Sequence, residues 1–472
     1  MSHSLTRREF LKAGLATLAG TALGPWPQGE AHAEDNTEAP RPNLVYITAD
    51  QLRACSVGCY GNPEVDTPHI DVLAAQGALF ANAVSTSPLS TPHRGCLMSG
   101  RYPTITGVRR NFDVLPAAET CIAEVLSAGL YRTLFIGKWF LNGDTPNPVL
   151  DPGWVPPGAR QGFQHWVAFN LAHVYYRSKY YVDRDPVVRQ NPQGIYEPDF
   201  QTGQAIQFIT ANRSRRFCVF LSIGTPHPQG AGAFLPPGGE YHYPYDPWVL
   251  SLRPNVDFPD AEWARQKTAD YYGVVSNLDW NVGRVMAALD SLGLTQNTIV
   301  VVTSDHGDVL GSHYGTFGNF NGKGVLYSES LNVPFVLRYP ARVPPAPVSE
   351  LFASVDILPT LLGLCGYPAP AGVMGRDFAP RLVWGDAPGD PPWGPVPSTE
   401  SALVGMFQGS WLGVYTGEYS LSCAGPSLTP RLLYHNAIDP YQLVDRRLEP
   451  AYQTILAHLR QELLAWLAYV QD

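Results

Sequence analysis

Residues 43–51 read Asn43-Leu44-Val45-Tyr46-Ile47-Thr48-Ala49-Asp50-Gln51, an apolar, β-branched run that stops on a carboxylate and an amide. The pattern recurs along the chain. Arg132–Ile136 leads to Gly137-Lys138-Trp139, Phe217–Ile223 to Thr225-Pro226-His227-Pro228, and Thr298–Thr303 to Ser304-Asp305-His306-Gly307-Asp308. Val333–Leu337 is a fifth candidate strand. Segments suited to helices alternate with these runs: Ile70–Phe80, Thr120–Ala128, Thr202–Ala211, Ala264–Ser291 and Ile357–Leu364. Strands alternating with helices predict an α/β fold, a large, mostly parallel sheet flanked by helices.

In such a sheet, ligands bind beyond the carboxyl ends of the strands. A single Asp or His after a strand is ordinarily a turn or cap residue, but four strands in a row ending this way form a set. Asp50, Asp305 and His306 would hold a divalent cation; oxygen ligands favour Ca2+ or Mg2+, and the imidazole shifts the choice towards Mn2+. The ion would act as a Lewis acid on a sulfuryl or phosphoryl oxygen. Asp308 and His313 read as supporting residues. Ser90 precedes Thr91-Pro92, and Pro92 suits the first turn of a helix, so Ser90 would face an anion together with the positive helix end. Arg94, four residues on, returns to the same face.

Composition narrows the partners. The 472 residues are 45% hydrophobic with a net charge of −9, enough for a large core and opposed to nucleic-acid binding. A small anionic substrate therefore needs a local cationic pocket. The N-terminus carries Arg7-Arg8, a short apolar run from Ala13 to Leu23, and Ala31-His32-Ala33. This resembles a twin-arginine signal peptide over residues 1–33, read by the twin-arginine export machinery, with cleavage near Ala33 and a periplasmic or secreted product. The apolar run is too short for a stable membrane anchor. The seven cysteines show no metal-type pairing and are expected as free thiols, with a Cys55–Cys59 disulfide as the alternative.

The stretches Asn142–Pro198 and Gln229–Pro259 are rich in Pro, Gly and aromatics and are expected as long loops over the sheet ends. Trp154, Trp166, Tyr175, Tyr176, Tyr180 and Tyr181 either stack on a sugar or aryl group or pack those loops. Gly385–Pro397 reads as a linker between a catalytic domain (40–384) and a small C-terminal α+β subdomain (398–472). Strands are expected there at Trp411–Tyr415, Tyr419–Cys423 and Leu432–His435, followed by a helix with Ile455, Leu456, Leu459, Leu463, Trp466, Leu467 and Val470 on one face.

Several longer motifs carry a resemblance: Thr86-Ser87-Pro88-Leu89-Ser90-Thr91-Pro92-His93-Arg94, Met98-Ser99-Gly100-Arg101-Tyr102-Pro103, Gly58-Cys59-Tyr60-Gly61-Asn62 and Thr67-Pro68-His69-Ile70-Asp71. Further on come Lys323 with Leu326-Tyr327-Ser328-Glu329-Ser330, then Val355-Asp356-Ile357-Leu358-Pro359-Thr360 and Asp439-Pro440-Tyr441-Gln442-Leu443. With the strand-end motifs, their order resembles the sulfatase family of the alkaline phosphatase superfamily over most of the mature length. The Asp-Gln and Asp-His pairs are nearest to the choline-sulfatase and phosphonate monoester hydrolase branch.

The resemblance implies a metal-dependent hydrolase of sulfate esters. Asp50, Asp305 and His306 would hold one divalent cation with residue 90, Ca2+ ahead of Mn2+ or Mg2+. Arg94, Lys138, His227 and Lys323 would clamp the ester, and Gln51 and Asn111 would touch substrate. Two departures stand out. Residue 90 is Ser where the Cys-x-Pro-Ser-Arg motif has Cys, so a maturation enzyme would have to convert Ser90 to formylglycine, whose two hydroxyls separate attack on sulfur from release of sulfate. Residue 140 is Phe where the Gly-Lys-Trp-His pattern places His. The alternatives are a phosphodiester or phosphonate monoester hydrolase on the same site, and an inactive anion binder.

Overall fold

β1 (Asn43–Asp50) pairs in parallel with β8 (Thr298–Ser304) on one side and β7 (Phe217–Pro226) on the other, and β7 pairs in parallel with β3 (Arg132–Lys138). Every residue of β1, β7 and β8 is buried. Leu44 and Tyr46 enter one hydrophobic core, Val45 and Ile47 a second on the opposite face. A strand covered on both faces has no solvent side to mark with polar residues, hence the unbroken apolar text. The helices Glu197–Ala211 and Ala261–Ser291 cover one face through Phe208, Tyr271 and Val285. Ile122–Ala128 and Ile357–Leu364 cover the other through Leu126, Leu358 and Leu361. This computed structural model describes residues 41–230, 232–234, 245–385, 397–398, 400–407 and 409–471; the signal peptide expected over residues 1–33 and most of the linker expected at 385–397 lie outside them.

Among the described residues the large sheet has ten strands. Beyond β8 lie β9 (Phe335–Arg338), β2 (Ala78–Val84) and β10 (Ala346–Ala353); beyond β3 lie β4 (His165–Phe169), β5 (Lys179–Val182) and β6 (Asp185–Gln190). β9 runs antiparallel to both neighbours, and the β4–β5–β6 edge is antiparallel. The expectation of a mostly parallel sheet flanked by helices holds for its centre.

Two local expectations need correction. The helix expected over Ile70–Phe80 ends at Ala75, and β2 begins at Ala78. Gly77 breaks it: a Cβ there would sit 2.2 Å from the Leu337 carbonyl oxygen, so β9 approaches the backbone as only glycine permits. The stretch 142–198 is not simply loop, because it contributes β4, β5 and β6. These strands are four to six residues long and sit between Pro and Gly clusters, too short to show a period. The aromatics there resolve mainly as packing: Trp166, Tyr175, Tyr180 and Tyr181 are buried, and Trp154 packs edge-on against Tyr181 at 5.2 Å.

A second, antiparallel sheet follows in simple order: β11 (Ala402–Met406), β12 (Trp411–Tyr415), β13 (Tyr419–Ala424) and β14 (Thr429–His435). β11 is an addition to the expected strands. The helix Gln453–Tyr469 closes it with Leu459, Leu463 and Trp466 buried. This unit is tied to loops of the large sheet. Trp411 Nε1 donates to the Gly324 carbonyl at 2.8 Å, the Gln442 amide oxygen accepts the Ser328 N–H at 2.7 Å, and the Gly405 N–H donates to the Thr86 carbonyl at 3.0 Å. All seven cysteines are free, so no Cys55–Cys59 bridge forms. Among the described residues, no helix is long and apolar enough to cross a membrane.

Candidate active site

Because β8, β1, β7 and β3 are adjacent and parallel, their carboxyl ends share one edge, and the residues that follow them meet there. Asp50, Asp305 and His306 each offer a ligand atom, all within 4.8 Å of one another, and all three are buried. His306 Nε2 lies 3.8 Å from Asp50 Oδ1 and 3.5 Å from Asp305 Oδ1. His306 Nδ1 is 2.9 Å from the Gly307 carbonyl, so the tautomer assigned by that bond carries its proton on Nδ1 and turns the Nε2 lone pair to the cluster. Asp50 Oδ1 is buried without a hydrogen-bond partner. A buried carboxylate oxygen facing a second carboxylate and an imidazole lone pair fits a divalent cation.

Ser90 opens the helix Ser90–Ser99, and its Oγ donates to His306 Nε2 at 3.0 Å. The hydroxyl therefore shares the lone pair that faces the cluster. Asn111 lies at the same helix start, where its Oδ1 accepts the Thr91 N–H at 3.1 Å. His93 turns away into the core, with Nδ1 3.0 Å from both Ser85 Oγ and Ser354 Oγ. Asp308 and His313 lie outside the cluster, as expected. Asp308 accepts from the Gln51 amide at 2.6 Å, and His313 stacks on Tyr327 at 3.7 Å.

Cationic side chains surround the cluster. Arg94 donates to the Lys138 carbonyl and Ser222 Oγ at 2.7 Å each, and to Asp305 Oδ2 at 3.2 Å. Lys138 Nζ pairs with Asp50 Oδ2 inside a fully buried environment. Lys323 Nζ donates to Gln51 Oε1 at 2.6 Å, so the Gln51 side chain bridges Lys323 and Asp308 while its backbone N–H reaches Asp305 Oδ1 at 3.0 Å. Burial alone would raise the Asp50 carboxyl, but Lys138, His227 and Lys323 outweigh it and hold Asp50 well below the usual range. Burial pulls the Lys138 ammonium down to about 8 and lowers Lys323 as well. It also keeps His306 neutral, pushed down to about 4.

Two residues here, His173 and Glu197, were not singled out from the sequence. His173 stacks on His227 with ring centroids 3.7 Å apart. Phe140 packs its ring 4.8 Å from Lys138 Nζ and edge-on to Phe112 at 5.3 Å, giving this side of the site an aromatic wall. Glu197 is buried behind the end of β7, and burial raises its carboxyl to about 8. A carboxyl raised above its unfolded 4.5 adds stability that is complete below pH 4.5 and lost as pH climbs through about 8. Glu197→Gln should therefore gain in melting temperature over the native chain as pH rises from 5 to 8; a gap that stays constant across that range refutes the assignment.

The C-terminal unit reaches the site through Trp411. Trp411→Phe removes the donor to the Gly324 carbonyl beside Lys323, and kcat should drop about fivefold for the roughly 1 kcal/mol such a bond contributes. An unchanged kcat would show that this contact does not hold Lys323.

With this geometry in hand, known proteins place the chain. The family model described as Sulfatase matches residues 42–367. An ulvan-active sulfatase of Formosa agariphila is 33% identical over 455 residues, covering 93% of this chain and 83% of its own length. A solved structure from Bacteroides thetaiotaomicron, described under the metabolism of multiple glycosaminoglycans, has a TM-score of 0.78 at 26% identity and covers 92% of this chain and 97% of its own. The phosphonate monoester hydrolase of Silicibacter pomeroyi shares the fold, with a TM-score of 0.70 at 23% identity over 90% of this chain and 94% of its own. On the strength of the model match and the 33% identity, the chain belongs to the sulfatase family of sulfuric ester hydrolases.

Proposed function

We propose that this protein hydrolyses sulfate esters on a sulfated polysaccharide or its fragments, with Ser90 converted to formylglycine before use. The observation that carries this reading is the 3.0 Å contact of Ser90 Oγ with His306 Nε2, which sets residue 90 against the buried Asp50–Asp305–His306 cluster. The polysaccharide class is supported by the ulvan-active relative. Asp50, Asp305, His306 and residue 90 would hold one divalent cation, Ca2+ ahead of Mn2+ or Mg2+ on its oxygen donors. When bound, the ion supplies Lewis-acid polarisation of the ester, and formylglycine supplies a hydrated aldehyde whose second hydroxyl gives the sulfate a way out. Export through the twin-arginine route, maturation by a formylglycine-generating enzyme, and division into residues 40–384 and 398–472 belong to the same reading.

The chain's own residues supply the rest. Arg94 ties the helix of Ser90 to Asp305 and the Lys138 carbonyl, fixing residue 90 against the cluster. Lys138, His227 and Lys323 bind the anionic ester beside it. His227 Nδ1 is 2.8 Å from the Pro228 carbonyl, so its Nδ1–H donates there. With the anion bound and Nε2 protonated as well, His227 donates to the ester, and the ammonium groups of Lys138 and Lys323 are the proton-bearing donors for the leaving oxygen. Gln51 and Asn111 meet the substrate from the Lys323 side and the helix start.

Mass spectrometry of the Ser90 peptide from the native host tests the mechanism, with a loss of two hydrogens expected. Only unmodified Ser in a protein that turns over sulfate esters would sink it. A phosphonate monoester or phosphodiester reading is favoured by one observation, the Asp50-Gln51 and Asp305-His306 pairs, whose Gln51 bridges Lys323 and Asp308 beside the cluster that includes His306. Rates on paired sulfate-ester and phosphate-diester substrates separate the two, with the sulfate ester expected to be faster. Metal binding without turnover of either would favour the anion binder.

A further inference from the structure

The polar partners of Lys138 lead to a residue outside every motif. Its ammonium faces Asp50 Oδ2 on one side and His173 Nε2, at 3.4 Å, on the other. His173 lies four residues past the end of β4, in a stretch without periodicity. The register explains its arrival. β3 and β4 are parallel with Lys138 opposite Phe169, so their carboxyl ends lie side by side. Two more bonds extend the pairing, Trp139 N–H to the Phe169 carbonyl at 2.9 Å and Phe140 N–H to the Asn170 carbonyl at 2.8 Å. The chain leaving β4 then carries His173 over Lys138, next to the Phe140 ring that brings no polar atom to the site.

The hydrogen bonds fix what this imidazole can do. Tyr175 Oη donates to the carbonyl of His227 at 2.5 Å or of Gly224 at 2.8 Å, which leaves its lone pairs to accept from His173 Nδ1–H at 3.4 Å. Nε2 is then an acceptor aimed at the Lys138 ammonium. The ring itself lies parallel to His227, 8° from coplanar orientation at 3.7 Å. One side chain thus meets two members of the ester clamp, an acceptor for Lys138 and a flat face for His227.

We propose that His173 is a positioning residue, the imidazole that aims Lys138 and sets the plane of His227 in a site whose position 140 is Phe. The proposal rests on the clamp reading above, in which Lys138 and His227 hold the anionic ester. His173→Phe keeps the ring face on His227 and deletes the acceptor. His173→Gln keeps an acceptor near the Nε2 position, and His173→Asn, one methylene shorter, does not reach it.

Affinity for inorganic sulfate, measured by calorimetry on the Ca2+-loaded full chain, is the first readout, and kcat on a sulfate ester is the second. His173→Phe and His173→Asn should weaken sulfate binding about tenfold, the scale of one hydrogen bond to a charged group. His173→Gln should stay within about threefold of the native chain, since it restores that bond. In kcat the same order is expected, with KM moving less than kcat. Equal sulfate affinity in all four proteins, no sulfate binding by the native chain, or a Gln variant as impaired as Asn overturns the proposal; the last result would mark His173 as packing only. The Gln–Asn contrast stands even if the Phe variant fails to fold. Sulfate binding is read without turnover, so a native chain that binds sulfate but cleaves no ester counts against the hydrolase reading and leaves the sulfate arm to judge His173.

Discussion

Ser90→Ala folds normally and turns nothing over. The Ser90 hydroxyl makes one hydrogen bond, to His306 Nε2, and Ala is a good residue in a first helical turn, so the stability change should stay near 1 kcal/mol. Activity behaves differently. Removing a covalent nucleophile leaves only binding and electrostatic stabilisation, and kcat/KM should fall by at least about 10,000-fold. Cys96 cannot take over. It is buried later in the same helix, and burial pushes its thiol up. The measurement is initial rate on a sulfate ester for the native chain and the variant, with melting temperature as the folding control. A residual rate within about 100-fold of native would place the nucleophile elsewhere, because loss of a nucleophile costs far more.

Asp50→Asn has the second-largest expected effect, and it acts on metal and fold together. Asp50 Oδ1 faces the cluster without a hydrogen-bond partner, while Oδ2 holds Lys138 and lies 3.8 Å from Arg94. Asn keeps the shape and removes the charge. Ca2+ affinity should fall by more than the roughly 10- to 100-fold that mutating a mere neighbour of a metal ligand costs. The metal-free protein should lose about 3–5 kcal/mol, since Lys138 stays fully buried with its nearest counter-charge gone. Calorimetric titration with Ca2+ and denaturant unfolding in chelator read the two effects separately. Unchanged Ca2+ affinity would show that Asp50 is not a ligand, whatever happened to stability.

The centre of the fold was legible because a strand covered on both faces writes its burial into consecutive residues. β1, β3, β7 and β8 each stood out as apolar runs, and the polar residue after each run marked the end at which a site could form. Where burial was not continuous over six or more residues the text was less reliable, although β9, β12, β13 and β14 were still legible. Leu79 and Phe80 read as the last turn of a helix, although the Gly77 contact with β9 had already ended it. β4, β5 and β6 were hidden among prolines and glycines, and β11 followed the linker without a signal of its own. The aromatic residues of 142–198 illustrate the same limit, since a Trp or Tyr in a loop looks alike whether it meets a sugar or the core.

For the candidate site, the sequence by itself determined the inventory. Asp50, Asp305, His306, Ser90, Arg94, Lys138, His227 and Lys323 are all named by short motifs, and the structure brings them to one edge of the sheet. The sequence also exposed the gap at Phe140, because a missing His is visible within a four-residue pattern. Only the tertiary structure decided what stands beside that gap, how Gln51 links Lys323 to Asp308, and that Trp411 of the second sheet braces Gly324. The physical reason is range. A strand and its terminal residue are set by neighbours a few positions away, whereas His173 meets Lys138 through the register of β3 on β4, 35 residues apart in the chain, and no local period records that distance.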